Sequence, residues 1–307
     1  MNGEFKFQFD IYQRRFKRPF RTNHGTWQIR EGIIIRLITQ SGTIAQGEIA
    51  PLPWFGSETL AQALKFCQQL KGSINQTAVK LIPDHLPCCQ FAFQSAWLNL
   101  EQNLIQHQVK NLSYCYLLPA GKQALTHWQH LYETQLATTF KWKIGVYSLT
   151  KEIKILQQLV SVFPADIRLR LDVNGGLNLS QAQQLLSVTD NLKCIEFVEQ
   201  PLPPQNFVDI LQLNREHTTL LALDESIASF QQLCSAYQQG WRGVYVVKAA
   251  IMGFPQRLSQ FCQERNLDVV LSSVFETEVG RNAVLQITQK LAHPRAVGFG
   301  VKHLFNC

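Results

Sequence analysis

The chain has 307 residues, of which 46% are hydrophobic and 17% are charged, and it contains 12 prolines and 17 glycines. This balance excludes disordered, collagen-like and low-complexity proteins, and the length suits two domains or one large barrel with an appendage. The longest apolar runs are far shorter than the ~20 residues that a membrane-spanning helix needs. Charged and aromatic residues alternate at the N-terminus, unlike in a secretory signal, so we expect a cytoplasmic protein.

The charge balance is basic, with 29 Lys and Arg against 22 Asp and Glu, or +7 overall. Such a charge suits nucleic acid, an anionic membrane or an acidic small molecule equally well. The densest basic cluster consists of Arg14, Arg15, Lys17, Arg18 and Arg21. Because no nucleic-acid motif surrounds it, we expect neither nucleic acid nor a membrane as a partner, and a non-enzymatic basic binding module is the remote alternative. The eight cysteines lack the spacing of a zinc or redox motif.

The first part of the chain indicates an α+β domain. Residues 3–50 hold segments of alternating hydrophobicity, which are typical of antiparallel strands joined by turns. Two segments with helical spacing of apolar residues follow, at 57–72 and 87–105, and Ser57 is the expected N-cap of the first. We therefore expect residues 1–108 to form one domain.

From about residue 113 the pattern changes to eight short apolar runs that alternate with helical segments. The runs are residues 113–119, 139–145, 167–173, 195–201, 220–226, 243–249, 268–274 and 296–300. Strands that are almost continuously apolar and separated by helices are typical of a parallel sheet covered by helices, and eight of them favour a closed (β/α) barrel. A doubly wound open sheet is the alternative, disfavoured because no glycine-rich phosphate turn follows the first strand.

Five charged residues fall at or near the C-terminal ends of five consecutive predicted strands: Lys143, Asp172, Glu199, Asp224 and Lys248, spaced 29, 27, 25 and 24 residues apart. A carboxylate in this place often caps the next helix. Five such coincidences on successive βα units instead indicate one site at the C-terminal rim, where barrels of this kind build active sites.

Strand alternation predicts which side chains share a face with these five. Lys141 goes with Lys143, Arg170 with Asp172 and Asn174, and Asp224 with Ser226. Three carboxylates without His or Cys suit Mg²⁺ rather than zinc, and Mn²⁺ shares the same oxygen ligands. Lysines close to a cation and to each other favour the neutral amine, which predicts a lowered lysine pKa and a general base.

Six motifs in order resemble the enolase superfamily, in its muconate lactonizing subgroup. They are residues 141–143, 171–176, 196–202, 222–226, 246–253 and 271–280. The resemblance covers nearly the whole chain and implies a TIM-like (β/α)7β barrel in residues 109–307, with an N-terminal α+β capping domain in residues 1–108 and a C-terminal tail able to return to the cap. Ala249 departs from the pattern, since Pro is frequent at that position.

Residues 18–37 and 47–60, together with the compact length, resemble the capping loops of one family in this subgroup, the o-succinylbenzoate synthases. That resemblance implies a metal-dependent lyase, which removes water in syn geometry from 2-succinyl-6-hydroxy-2,4-cyclohexadiene-1-carboxylate during menaquinone or phylloquinone biosynthesis. By motif, Asp172, Glu199 and Asp224 would bind Mg²⁺. Lys143 would act as base and then as acid, with its pKa tuned by Lys141, and Lys248 would stabilise the enediolate from the opposite side.

The resemblance also suggests substrate contacts. Ser272 and Ser273 are candidates for the succinyl carboxylate, Arg170 shares the inward face, and Asn174 and Glu225 would support the metal ligands. In the capping domain, a loop with His24 and Gly25 would fold over the small-molecule carboxylate, whereas residues 51–55 suit either ligand contact or packing between domains. An N-acylamino acid racemase or dipeptide epimerase on the same scaffold is the alternative function. The sequence does not distinguish a monomer from a homo-oligomer.

Overall fold

The structure is a computed structural model. It describes residues 4–22, 25–101, 112–134, 137–291, 295–301 and 304–305. The expected domain boundary at residue 108 and the candidate residue His24 lie outside these ranges.

An antiparallel sheet of four strands dominates the N-terminal part, in the spatial order β3-β2-β1-β4. The strands are β1 (Phe5–Thr22), β2 (Gly25–Ile38), β3 (Ile44–Ile49) and β4 (Ser73–Ile74). Alternate residues of β2, namely Ile33, Ile35 and Leu37, are fully buried, as the alternating hydrophobicity predicts. Strands β1 and β2 form one long hairpin whose register shifts between Arg15 and Phe20.

Three helices pack with this sheet: α1 (Leu60–Gln69), α2 (Gln76–Lys80) and α3 (Pro87–Glu101). The predicted N-cap of α1 at Ser57 is wrong. Thr59 is the cap, because it exchanges hydrogen bonds with Gln62 in a capping box. The Ser57 hydroxyl instead accepts from the backbone N–H of Leu52 at 2.7 Å, which holds the preceding turn.

The second part of the chain forms an eight-stranded parallel sheet. Its strands are β5 (Tyr114–Leu117), β6 (Thr139–Lys143), β7 (Arg168–Asp172), β8 (Ile195–Glu199), β9 (Leu221–Leu223), β10 (Val244–Val247), β11 (Val269–Leu271) and β12 (Val297–Gly300). Its helices are α4 (Ala124–Glu133), α5 (Leu149–Val160), α6 (Leu179–Thr189), α7 (Phe207–Glu216), α8 (Phe230–Gln238), α9 (Pro255–Glu264) and α10 (Glu278–Thr288). A bridge between Ser272 and Gly298 brings the two edge strands together. The predicted (β/α)7β barrel with an N-terminal α+β domain is confirmed.

Five apolar side chains fill the inside of the barrel as a cluster separate from the main core: Phe197, Ala222, Val244, Val246 and Val270. The main core lies between the strands and the surrounding helices and continues into the N-terminal domain. The interior of the barrel is therefore packed, and Val246 and Val270 of this cluster also line the cavity at its C-terminal mouth.

The N-terminal domain is attached to this mouth by polar and aromatic contacts. The buried carboxylate of Glu48, in β3, accepts from the backbone N–H groups of Thr277 and Gly280 at 2.9 Å, at the start of α10. Near the end of the chain, Phe305 pairs with Phe16 of β1 and stacks on its ring at 4.5 Å. Among the described residues, no helix has the length and hydropathy to cross a membrane.

Candidate active site

The strand register places three of the predicted charged residues side by side. Lys143 pairs with Asp172, and Asp172 pairs with Glu199, across β6, β7 and β8. Neighbouring strands lie about 4.8 Å apart, so these three side chains leave the barrel at one level. Asp224 and Lys248 follow the ends of β9 and β10 and line the same cavity. The structure therefore brings all five predicted residues together at one mouth.

Two lysines contact the three carboxylates directly. Lys141 Nζ lies 2.8 Å from Asp172 Oδ2 and 2.7 Å from Glu199 Oε1, while Lys248 Nζ contacts Asp224 Oδ1. In the described part of the chain, Asp172 Oδ1 is buried and has no hydrogen-bond partner. The carboxylates thus have more oxygen acceptors than the surrounding protein satisfies.

Burial and mutual repulsion act on these acids. Burial raises the pKa of Glu199, and the neighbouring charges of Asp172 and Asp224 raise it further, although Lys141 opposes this. For Lys141, burial favours the neutral amine, but the three carboxylates outweigh burial and raise its pKa well above the usual value. Lys141 is therefore held as a charged ammonium by the acids around it, and the role predicted for it beside the general base stays a prediction.

Asn174 and Glu225 lie beside the carboxylates, as the resemblance suggests. Asn174 Nδ2 donates to Glu225 Oε1 at 3.0 Å. The predicted common face of Asp224 and Ser226 is wrong, because the chain turns into a 3₁₀ helix at Glu225–Ile227, where strand alternation no longer applies. Glu225 lines the cavity, whereas Ser226 is bound by the side chain of Gln200.

The candidate substrate residues take different positions. Ser272 and Ser273 both line the cavity, but the Ser273 hydroxyl donates to the buried carboxylate of Glu276 at 3.0 Å. Arg170 also reaches the cavity, while its guanidinium pairs with Glu196 at 2.7 Å. Gly25 begins β2 and is exposed. Their roles toward a substrate stay predictions.

The cavity has a volume of about 380 Å³, with a charged side and an aromatic side. The aromatic side comes from Trp27, Trp54, Phe55 and Phe275. Trp27 packs edge-to-face on Trp54 at 4.8 Å and on Phe275 at 5.5 Å, and the Lys248 ammonium lies 3.9 Å from the centre of the Phe55 ring. This arrangement suits a flat, partly apolar molecule that carries a carboxylate.

Sequence reasoning missed Phe275, Glu276 and Gln200. Phe275 has a φ of +62°, which is rare for a bulky residue and which the sequence does not signal. Its backbone N–H donates to the Ser273 hydroxyl at 2.8 Å, and that hydroxyl is in turn held by Glu276. The only local hint in the sequence was Glu276 itself, an acidic residue three positions after Ser273.

A divalent cation fits the chemistry of this cluster. Within the described residues, no three His, Cys, Asp or Glu side chains already surround a common point as metal ligands, because the lysines contact the carboxylates. The unpartnered Asp172 Oδ1 and the three mutually repelling acids are nevertheless an all-oxygen donor set of the kind that Mg²⁺ prefers.

Comparisons with known proteins agree with this geometry. The family model "Enolase C-terminal domain-like" matches residues 123–301, and "MenC, N-terminal domain" matches residues 19–100. An o-succinylbenzoate synthase of Thermosynechococcus vestitus is 38% identical over 302 residues, which cover 96% of this chain and 92% of that protein. This chain belongs to the o-succinylbenzoate synthase family of the enolase superfamily. The predicted membership is confirmed.

More distant relatives and solved structures extend the comparison. An o-succinylbenzoate synthase of Pasteurella multocida is 27% identical and covers 85% of this chain and 78% of its own. The crystal structure of o-succinylbenzoate synthase from Thermosynechococcus elongatus BP-1, complexed with Mg in the active site, has a TM-score of 0.91 at 36% identity and covers 98% of this chain and 94% of its own. A dipeptide epimerase from Enterococcus faecalis has a TM-score of 0.83 at 19% identity, covering 98% and 92%, and supports the fold alone.

Proposed function

We propose that this family member is a Mg²⁺-dependent o-succinylbenzoate synthase, a lyase that converts 2-succinyl-6-hydroxy-2,4-cyclohexadiene-1-carboxylate and releases water. The observation that carries the proposal is the convergence of Lys143, Asp172, Glu199, Asp224 and Lys248 on one cavity. The family membership and the Mg-containing relative support it.

Asp172, Glu199 and Asp224 are the residues that would hold Mg²⁺, with Mn²⁺ as the alternative ion. When bound, the ion supplies electrostatic stabilisation of the negative charge that develops on the substrate carboxylate. The unpartnered oxygen of Asp172 supports this assignment. Asn174 and Glu225, which are hydrogen-bonded to each other at 3.0 Å, would fix the backbone next to Asp224 and so the position of that metal ligand.

The two cavity lysines would have separate roles. Lys143 lies on β6 and Lys248 follows β10, four strands away in an eight-stranded barrel, so they approach a ligand from opposite sides. Lys143 would remove the proton α to the carboxylate, then return it to the leaving hydroxyl, so that a C–H and a C–O bond break and water departs from the same face. Lys248 would stabilise the negative charge from across the ring.

The remaining residues would shape the substrate pocket. Lys141, in contact with Asp172 and Glu199, would adjust the charge around Lys143. Ser272, Ser273 and Arg170 are proposed to face the succinyl and carboxylate groups. The aromatic side of the cavity would contact the six-membered ring.

The alternative reaction is racemisation of an N-acylamino acid or epimerisation of a dipeptide, and the placement of the two lysines is compatible with it. Two lysines on opposite sides of a cavity suit proton removal on one face and return on the other. The purified protein should be incubated with the cyclohexadiene substrate and, separately, with N-succinylamino acids. We expect turnover of the cyclohexadiene; turnover of the N-succinylamino acids alone would refute the synthase assignment.

We also propose a cytoplasmic location and a small-molecule carboxylate as the substrate, with neither nucleic acid nor a membrane as a partner. In support, the seven cysteines within the described ranges form no disulfide, as expected in a reducing compartment.

A further inference from the structure

Gln200 lies directly after Glu199 and is fully buried, with 0% of its surface exposed. Its side-chain amide uses its full hydrogen-bonding capacity of two acceptor and two donor positions. Oε1 accepts from the backbone N–H groups of Asp224 and Ser226, both at 3.1 Å. Nε2 donates to the carbonyl of Leu202 at 2.8 Å and to the hydroxyl of Ser226 at 2.7 Å. One side chain therefore holds the turn in which Asp224 lies.

The backbone of Gln200 extends these contacts to the neighbouring strands. Its N–H donates to the carbonyl of Ala222, in β9, at 2.8 Å, and its carbonyl accepts from Gly175, after β7, at 2.7 Å. Strand β7 ends at Asp172, β8 ends at Glu199, and Asp224 follows β9, so the segment after each strand begins at one of the three carboxylates. Gln200 is thus a residue that forms hydrogen bonds with all three of these segments.

The conformation of Gln200 indicates that these contacts bear strain. Its φ is +40°, in the left-handed region that non-glycine residues seldom adopt. The next residue is Pro201, which ordinarily favours an extended conformation in the residue before it. Such a conformation persists where surrounding contacts over-determine it, which is frequent at functional sites.

We infer that Gln200 is a positioning residue that sets the spacing of Asp172, Glu199 and Asp224 and thereby the affinity of the site for Mg²⁺. The inference rests on the proposed function. The three carboxylates carry one charge more than Lys141 and Lys248 offset, and a cation would displace these lysines from them. Without a rigid link between their segments the acids would move apart, and the cation would have to restore their arrangement on binding. A glutamate cannot replace the amide, since an ionised carboxylate has no donor for the carbonyl of Leu202.

The experiment is a calorimetric titration of Mg²⁺ into the wild-type chain and three variants, without substrate. Gln200→Met keeps the length of the side chain but removes all four hydrogen bonds. Gln200→Asn tolerates the left-handed backbone and keeps an amide, but is one methylene too short. Gln90→Met is the matched control, because Gln90 is also a buried amide, 1% exposed, and it donates to the carbonyl of Ile82 at 2.8 Å in the N-terminal domain.

We expect both Gln200 variants to bind Mg²⁺ about 10- to 100-fold more weakly, as is typical when a residue that orients metal ligands is lost. Gln90→Met should bind Mg²⁺ like the wild type, even though it unfolds at a lower temperature. In turnover assays, the Gln200 variants should need correspondingly more Mg²⁺ for half of maximal activity, while kcat at saturating Mg²⁺ changes much less.

Wild-type Mg²⁺ affinity in either folded Gln200 variant would overturn the inference and leave the proposed function standing. Equal weakening in Gln90→Met would also overturn it, because the effect would then be one of general stability. A wild-type chain that binds no Mg²⁺ would instead overturn the proposed function. If Gln200→Met fails to fold, Gln200→Asn decides between these results.

Discussion

Two clusters of buried and half-buried charged residues lie at different levels of the barrel, and they differ in how their charges are paired. The floor cluster consists of Glu196, Asp268, Arg295 and the guanidinium of Arg170, a residue that also lines the base of the cavity. Arg295 forms a two-pronged pair with Asp268 at 2.6 and 2.7 Å and contacts Glu196 at 2.7 Å. Two guanidinium groups thus meet two carboxylates. Burial would raise the pKa of Glu196, but Arg170 and Arg295 outweigh it and lower that pKa.

The rim cluster consists of Lys141, Lys143, Asp172, Glu199, Asp224 and Lys248. Here the pKa of Glu199 shifts the opposite way, upward, through burial and the repulsion of Asp172 and Asp224. Within the described ranges, one oxygen of Asp172 has no partner. In the floor cluster each carboxylate is paired with a guanidinium, whereas the rim cluster has acceptors in excess and is suited to bind a cation and a substrate.

The largest expected effect is that of Lys143→Ala at the rim. We expect turnover to fall by ~10⁴-fold, because general acid–base catalysis contributes ~10²–10⁴-fold and this lysine would serve as both base and acid. Steady-state kinetics with the cyclohexadiene substrate measure the effect. The control is Lys154→Ala, since Lys154 is exposed on α5; a comparable loss in this control, or none in Lys143→Ala, would contradict the role of Lys143.

The second prediction compares one glutamate from each cluster, both in β8. Glu199→Gln should lower turnover by ~10³-fold, because a metal contributes several kcal/mol of charge stabilisation. It should leave the free energy of unfolding unchanged or higher, because it removes repulsion. Glu196→Gln should instead lower that free energy by about 3 kcal/mol, the cost of breaking a buried ion pair, and leave Mg²⁺ affinity unchanged.

Denaturant titration and calorimetry on these two variants check both halves of the comparison. If Glu196→Gln weakens Mg²⁺ binding as much as Glu199→Gln, the two clusters do not have separate roles.

The smallest expected effect concerns Glu276, behind the rim. Burial and the charge of Glu48 raise its pKa to about 7. The folded state therefore binds a proton that the unfolded state has released, so this residue lowers the free energy of unfolding as the pH rises from about 5 to about 7. Glu276→Gln should remove this pH dependence of the free energy of unfolding. Near pH 8 its unfolding temperature should therefore rise by a few degrees relative to that of the wild type. The same pH dependence in both proteins would assign the slope to other groups.

The sequence predicted the eight strands and the five charged residues because both are local signals. A charge that ends an apolar run, repeated once per βα unit, can be read without knowing any tertiary contact. For residues 51–55 the sequence suited either contact with a ligand or packing between domains. The structure places Trp54 and Phe55 of this segment at the cavity.

Other features depend on tertiary contacts that no local pattern encodes. The left-handed Gln200 and Phe275 are set by hydrogen bonds between loops, so neither residue type nor spacing signals them. The direction of the Lys141 pKa shift depends on acids that are 31 to 83 positions away in the chain, from Asp172 to Asp224. Strand β9 ends at Leu223, before Asp224, and the 3₁₀ helix that begins at Glu225 places Ser226 on another face.

The most direct test of the central claim is the metal dependence of the dehydration. The purified protein should be assayed with the cyclohexadiene substrate in excess chelator and again after Mg²⁺ is restored. The account predicts loss of turnover on chelation and its recovery with Mg²⁺ in the wild type, and no recovery in Glu199→Gln at the same Mg²⁺ concentration. Full turnover in excess chelator would contradict the assignment of the rim carboxylates to a metal.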